Sequence, residues 1–306
     1  APFKPDSGEF NNKNTSGDPI LFNEAFVAVG GEWGELAAGR LANIFSGNGD
    51  FGLCPKINPS PMGTNFPNAG LTPIFSSGYY YNNSVIYNSP RVNGFHVAAM
   101  YSNGRDDDSV SRGKSDQFGA LALTYIGESF KFAVLPTYID SDSLKTATVT
   151  PNDEYGIALL GSYWPEPTMG LHFGYQFVRD GRALGGSYFN YFTPAAAGGP
   201  GIAKSERGVD THSLSLGFSK RFGAQKISIV LMGNKVEYKG DSAVDGDREG
   251  WRVIPATIYR YYLSKRTHFW ASASTSQSGG LYKKAREFEK DPTKAWDVGA
   301  GLVHHF

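Results

Sequence analysis

The stretch Trp296-Asp297-Val298-Gly299-Ala300-Gly301-Leu302-Val303-His304-His305-Phe306 is the one whose reading decides the fold. Side chains of an extended strand alternate between its two faces. Trp296, Val298, Ala300, Leu302, His304 and Phe306 therefore share one largely apolar face. Asp297, Gly299, Gly301, Val303 and His305 share the other, which is small or polar. An ordinary buried terminal strand could carry this alternation. An aromatic-ended strand with one lipid-compatible face is also what an outer-membrane barrel needs for its last strand.

Composition narrows the choice. Lys plus Arg and Asp plus Glu stand at 29 each, so the chain carries no basic excess suited to nucleic acid. With 17 Tyr and 21 Phe beside 38 Gly, the composition suits strands and interfacial girdles better than packed helices. No apolar run reaches about 18 residues, which argues against membrane-spanning helices. The mean hydropathy of −0.33 does not argue against a barrel, whose lipid-facing residues are only every second one. Ala1 to Phe10 holds no apolar leader segment, so the expectation is a mature or incomplete chain. Cys54 is the one cysteine; it implies no disulfide framework and reads as a small packed side chain.

The same alternation recurs through the chain in pairs of strands joined by short turns. Phe95, Val97, Ala99 and Tyr101 oppose His96, Ala98, Met100 and Ser102. Leu121, Leu123 and Tyr125 lead through Gly127-Glu128 to Phe132, Val134, Pro136 and Tyr138. Leu171, Phe173, Tyr175 and Phe177 share a face, and Leu214, Leu216 and Phe218 oppose Ser213, Ser215, Gly217 and Ser219. Between pairs lie long polar stretches, at about 103–116, 140–152, 180–208, 239–248 and 277–294. Short turns on one edge and long charged loops on the other predict an all-β transmembrane barrel with lipid outside and water inside. Near the start, Phe22–Gly30 and Glu35–Arg40 form a hairpin. A long connection follows, about 42–81, with Phe45, Phe51, Phe66 and Phe75 as apolar anchors. Connections of that length are functional or disordered, and these anchors favour a packed one.

Phe22-Asn23-Glu24-Ala25-Phe26-Val27, Trp33-Gly34-Glu35-Leu36 and Gly39-Arg40 resemble the hairpin before the constriction loop of general diffusion porins. Asn83-Ser84-Val85-Ile86-Tyr87-Asn88-Ser89-Pro90, then Gly94-Phe95, resemble the strand pair after that loop. Gly301 to Phe306 resembles the tail of porins from β-proteobacteria. The resemblance implies a sixteen-stranded antiparallel barrel, a homotrimer in outer-membrane lipid, passage of ions and small hydrophilic solutes, and no cofactor. About thirteen strands can be counted, one porin domain over 1–306. The expectation is that three N-terminal strands, on the order of fifty residues, are absent; a true odd-numbered barrel is the alternative.

No catalytic or metal site is expected, because none of the six His forms a close ligand set. A diffusion pore narrows a wet lumen and sets its field with charge. Segment 42–81, folded inward, would narrow it, with Asp50 and Lys56 as constriction candidates or else solvated loop charges. Lys131 and Arg221 share faces with small residues and so face water, or else snorkel at the rim. Asn23 stands where the family often has Arg, so the field across the lumen is expected to be weak. Arg40 shares parity with Leu36 and Ala38, which points it away from the lumen. The resemblance then implies a trimer contact, with Glu9 of a neighbour as a candidate partner; the alternative is an isolated arginine at the rim. Phe306 is the expected signal to the barrel-assembly machinery. Two further readings stay open. One is a specific sugar or anion channel, which needs an inward aromatic track or basic ladder; Trp270 and His268 are inward candidates. The other is a plugged receptor or adhesin barrel working through loops such as 180–208.

Overall fold

The computed structural model describes residues 24–45, 50–57, 80–104, 117–141, 145, 147–181, 205–240, 247–284 and 294–305. Among them, thirteen strands form one sheet in strict sequence order. The strands are β1 (Ala25–Gly31), β2 (Gly34–Ala42), β3 (Tyr80–Asn88), β4 (Phe95–Gly104), β5 (Phe118–Ile126), β6 (Phe130–Ile139) and β7 (Glu154–Glu166). They continue as β8 (Met169–Gly181), β9 (Val209–Phe222), β10 (Gln225–Tyr238), β11 (Glu249–Tyr262), β12 (Thr267–Gly280) and β13 (Lys294–His304). Every neighbouring pair is antiparallel. β3 begins at Tyr80, at the end of the stretch of about 42–81 that the sequence presents as one long connection.

The connections alternate between short and long. Glu32-Trp33, 89–94, 127–129, 167–168, Gly223-Ala224 and 263–266 lie on one edge, and the long ones lie on the other. Gly223 takes a left-handed conformation, φ 58°, which lets two residues reverse the chain between β9 and β10. β1 and β13 both run toward the short-turn edge and stand at the two ends of the strand order. They therefore cannot pair antiparallel with each other.

The outward face carries an aliphatic band: Val27, Val29, Val85, Val97, Leu121, Leu123, Leu214, Leu216, Ile229, Leu231, Val298 and Leu302 are all exposed. Aromatic side chains flank it at both margins. Trp33, Phe95, Phe130, Tyr163, Phe222 and Phe269 lie toward the short turns, and Tyr101, Tyr138, Tyr155, Trp251 and Trp296 toward the long loops. Val27 is 77% exposed and Trp296 74%, values that would be costly in water and are natural in lipid.

The opposite face is largely buried: Ser84, Ser102, Thr124, Ala133, Ser162, Thr211, Ser213, Ser215, Ser219, Ser228 and Ser272 all lie on it. One apolar cluster there joins side chains of β2–β7 with β10 and β11, and includes Ile44, Phe45, Phe51, Leu53 and Ile57 between β2 and β3. A single sheet buries one face across so many strands only by curving around it and around what folds into it.

Candidate functional site

The segment after β2 turns onto the inner face. The carboxylate of Glu24, just before β1, accepts from the backbone N–H of Ala42 and of Asp50, both at 2.9 Å. Leu53 N–H donates to Ile44 O at 2.8 Å, closing the segment on itself. Phe51 packs edge-on against Phe26, ring centroids 5.3 Å apart. One helical turn, α1 (Cys54–Ile57), then carries the chain to the wall formed by β6 and β7. There Ser162 Oγ donates to Ile57 O at 2.7 Å, and Lys131 Nζ donates to Lys56 O at 3.2 Å. The Lys56 ammonium reaches back to the carbonyl of Asp50 at 2.8 Å.

Asp50, Lys56 and Lys131 are thus brought together on the inner face. Lys131 also lies 5.1 Å above the Trp164 ring, a cation–π contact that holds it against the wall. Arg221 stands apart from that group, over the Tyr262 ring at 5.0 Å, with its Nε donating to Gly223 O at 3.0 Å. Parity places both Lys131 and Arg221 inward, beside Ala133 and Ser219 respectively. His268 and Trp270 also lie inward, alternating with exposed Phe269 and Ala271.

Arg40 sits at a slip in the β2–β3 register, where the two steps from Gly39 to Leu41 face three steps from Ser84 to Tyr81, so that the extra residue lies in β3. Arg40 is half-buried, and its Nη1 donates to Asn82 Oδ1 at 2.7 Å. Asn23, Glu9 and Phe306 lie outside the described residues, as do Phe66 and Phe75 and the side chain of Cys54.

Sequence reasoning missed three features. The first is a hydrogen-bonded line on the inner wall: His172 Nδ1 sits 2.9 Å from Ser162 Oγ and its Nε2 sits 3.1 Å from Ser219 Oγ. The second is a row of basic side chains on the same face. Arg221 on β9 pairs with Lys226 on β10, and Lys226 pairs with Arg260 on β11. Parity with Ser228 and with Ile258 was the signal available for Lys226 and Arg260. The third is buried Arg252, whose guanidinium lies 4.3 Å over the ring of Tyr282 in the short 3-10 turn Leu281–Lys284. Asn234 Nδ2 donates to the hydroxyl of that same Tyr282 at 2.8 Å. A second long connection therefore also folds onto the inner wall, and periodicity within strands carries no trace of it. Among the described residues no group of three metal-ligating side chains occurs.

A lipid-adapted outer face, a polar inner wall and a segment folded onto that wall define a transmembrane β-barrel channel of the bacterial outer membrane. The chain belongs to the Gram-negative porin family, whose pattern it matches over residues 3–280. It is 29% identical to an outer membrane porin protein of Bordetella pertussis over the whole of this chain and 78% of that protein. Chitoporin of Vibrio furnissii is also 29% identical, over 48% of this chain and 41% of its own length. Among solved structures, the anion-selective porin from Comamonas acidovorans superposes with a TM-score of 0.59 at 18% identity, over 95% of this chain and 80% of that one. The OmpF structure of Salmonella typhi superposes with a TM-score of 0.57 at 11% identity, over 93% and 78%. This is an outer-membrane porin, a water-filled channel for passive diffusion of ions and small hydrophilic solutes.

Proposed function

We propose that the segment between β2 and β3 narrows the lumen, and that Asp50, Lys56 and Lys131 set the local field there, with Arg221 farther along the wall. The observation that carries this reading is the Ser162–Ile57 hydrogen bond. It ties a segment leaving β2 to the inner face of β7, five strands away in the sheet order. Solutes passing the lumen then meet a narrowed opening where the Lys56 ammonium lies on the backbone carbonyl of Asp50 and the Lys131 ammonium on that of Lys56.

The chain works as a homotrimer, inserted by the barrel-assembly machinery acting on the Phe306 end. Arg40 and Glu9 of neighbouring subunits make one of its contacts. The porin resemblance supports this assembly, and Arg40 shares its side of β2 with exposed Leu36 and Ala38. Replacing Arg40 by alanine is expected to reduce the trimer fraction on non-denaturing gels; unchanged trimers would remove the contact.

Planar-bilayer recording under a salt gradient, with and without oligosaccharides, tests the channel reading. Openings in threes with no sugar block are expected. Micromolar block by chito-oligosaccharides, the arm suggested by the chitoporin relative, would indicate a substrate-specific channel. Silence would indicate a plugged barrel.

A further inference from the structure

Three strands at the short-turn edge place like charges side by side. Arg221 on β9, Lys226 on β10 and Arg260 on β11 are consecutive partners across the sheet. All three point inward, sharing faces with buried Ser219, Ser228 and Ile258. Like charges directly opposite each other destabilise a sheet, so the row needs a reason. No neighbouring acid supplies one. Among the described residues the side chains of Lys226 and Arg260 make no hydrogen bond or ion pair. Glu166, at the same edge on β7, is already held by Lys220.

The surroundings are aromatic and donor-rich. Tyr262 lies under Arg221, His268 packs against Tyr262 at 5.2 Å between centroids, and His305 follows at 6.4 Å. Trp270, the next partner across from Arg260, continues the row. Neighbouring strands stand about 4.8 Å apart, so adjacent cations are spaced to be bridged by one small anion with two or more oxygens.

We infer that Arg221, Lys226 and Arg260 form an anion site on the channel wall at the short-turn, periplasmic mouth, taking inorganic phosphate or short dicarboxylates in transit and biasing the channel toward anions. The site lies apart from the Asp50–Lys56–Lys131 group and acts as a second charge filter in series with it. It rests on the reading of this face as a water-filled lumen.

The test pairs the double variant Lys226→Gln/Arg260→Gln with the wild type, which serves throughout as trimer from outer membranes. In a planar bilayer at low salt, the reversal potential under a potassium chloride gradient reports the chloride-to-potassium permeability ratio. A unit charge about 7 Å from a passing ion in water changes its occupancy about threefold. The double variant removes two such charges, each acting in opposite senses on chloride and potassium, so it is expected to lower the ratio by at least about tenfold and by up to roughly 80-fold, and to abolish inhibition of chloride current by millimolar phosphate. A folded variant with wild-type ratio and wild-type phosphate inhibition overturns the site. If the variant does not assemble, the wild type still decides: chloride current unaffected by phosphate beyond simple mixing of mobilities overturns it. A wild-type protein that forms no channel at all would instead remove the lumen reading, which is a different result.

Discussion

Replacing Ser162 by alanine removes the hydroxyl that joins the inward segment to the wall. Ser162 Oγ has one proton, which it gives to Ile57 O at 2.7 Å. It must then accept from His172 Nδ1 at 2.9 Å, leaving Nε2 of a neutral imidazole to accept from Ser219 Oγ at 3.1 Å. The alanine variant leaves a buried carbonyl and a buried ring N–H without this partner, at a cost of about 1–3 kcal/mol. Against that stands the burial of Ile44, Phe45, Phe51, Leu53 and Ile57, none more than 6% exposed. At about 1.5–3 kcal/mol each, their burial holds the segment by roughly 7–15 kcal/mol as an upper figure. One hydroxyl therefore cannot release the segment. It can raise the frequency of excursions from the wall by roughly 5- to 150-fold, at about 1.4 kcal/mol per factor of ten. Single-channel recording is expected to show mean conductance near the wild-type value with many more brief excursions to a wider state. Wild-type noise in a folded Ser162→Ala channel would refute the hydrogen-bond argument. A permanent step to higher conductance would refute the apolar-anchor argument.

Adjacent residues in β12 separate the two faces of the wall. Ala273→Arg places a charge in the outward band and is expected to cost roughly 2–4 kcal/mol in denaturant unfolding from lipid vesicles, whereas Ser274→Arg, inward and opposite Asp297, should cost under about 1 kcal/mol. Equal costs would mean that the face assignment is wrong. Asp180, 2% exposed and at φ 55°, accepts from Arg207, from Gly208 N–H at 3.0 Å and from Asn152 Nδ2 at 3.3 Å. Asp180→Ala is expected to cost about 3 kcal/mol, the lower end for breaking a buried pair because Arg207 keeps some contact with water. Asp180→Asn retains the turn preference and part of the hydrogen bonding and should cost less, and thermal unfolding of the two variants would show the order.

Much of this architecture is local, and local order is legible. The β-strand period of two sorts Leu214, Leu216 and Phe218 from Ser213, Ser215 and Ser219 without any knowledge of partners, and the same rule places Lys131 and Arg221 inward. The short-turn and long-loop rhythm likewise assigns which edge each connection occupies. Arg40 marks what parity does not carry: the β2–β3 register slips beside it, and its bond to Asn82 depends on how those two strands meet.

The amino-acid sequence by itself determined the class, the strand faces and the order of turns, because strand alternation and turn chemistry act over a few residues at a time. Only the tertiary structure decided which distant residues share a site. Ile57 meets Ser162 across 105 positions of chain, and Arg252 stacks on Tyr282. Arg221, Lys226 and Arg260 become a row only when three strands take a definite register. Those juxtapositions follow from sheet curvature and inter-strand pairing, which depend on the whole set of strands and leave no mark in any single stretch of sequence.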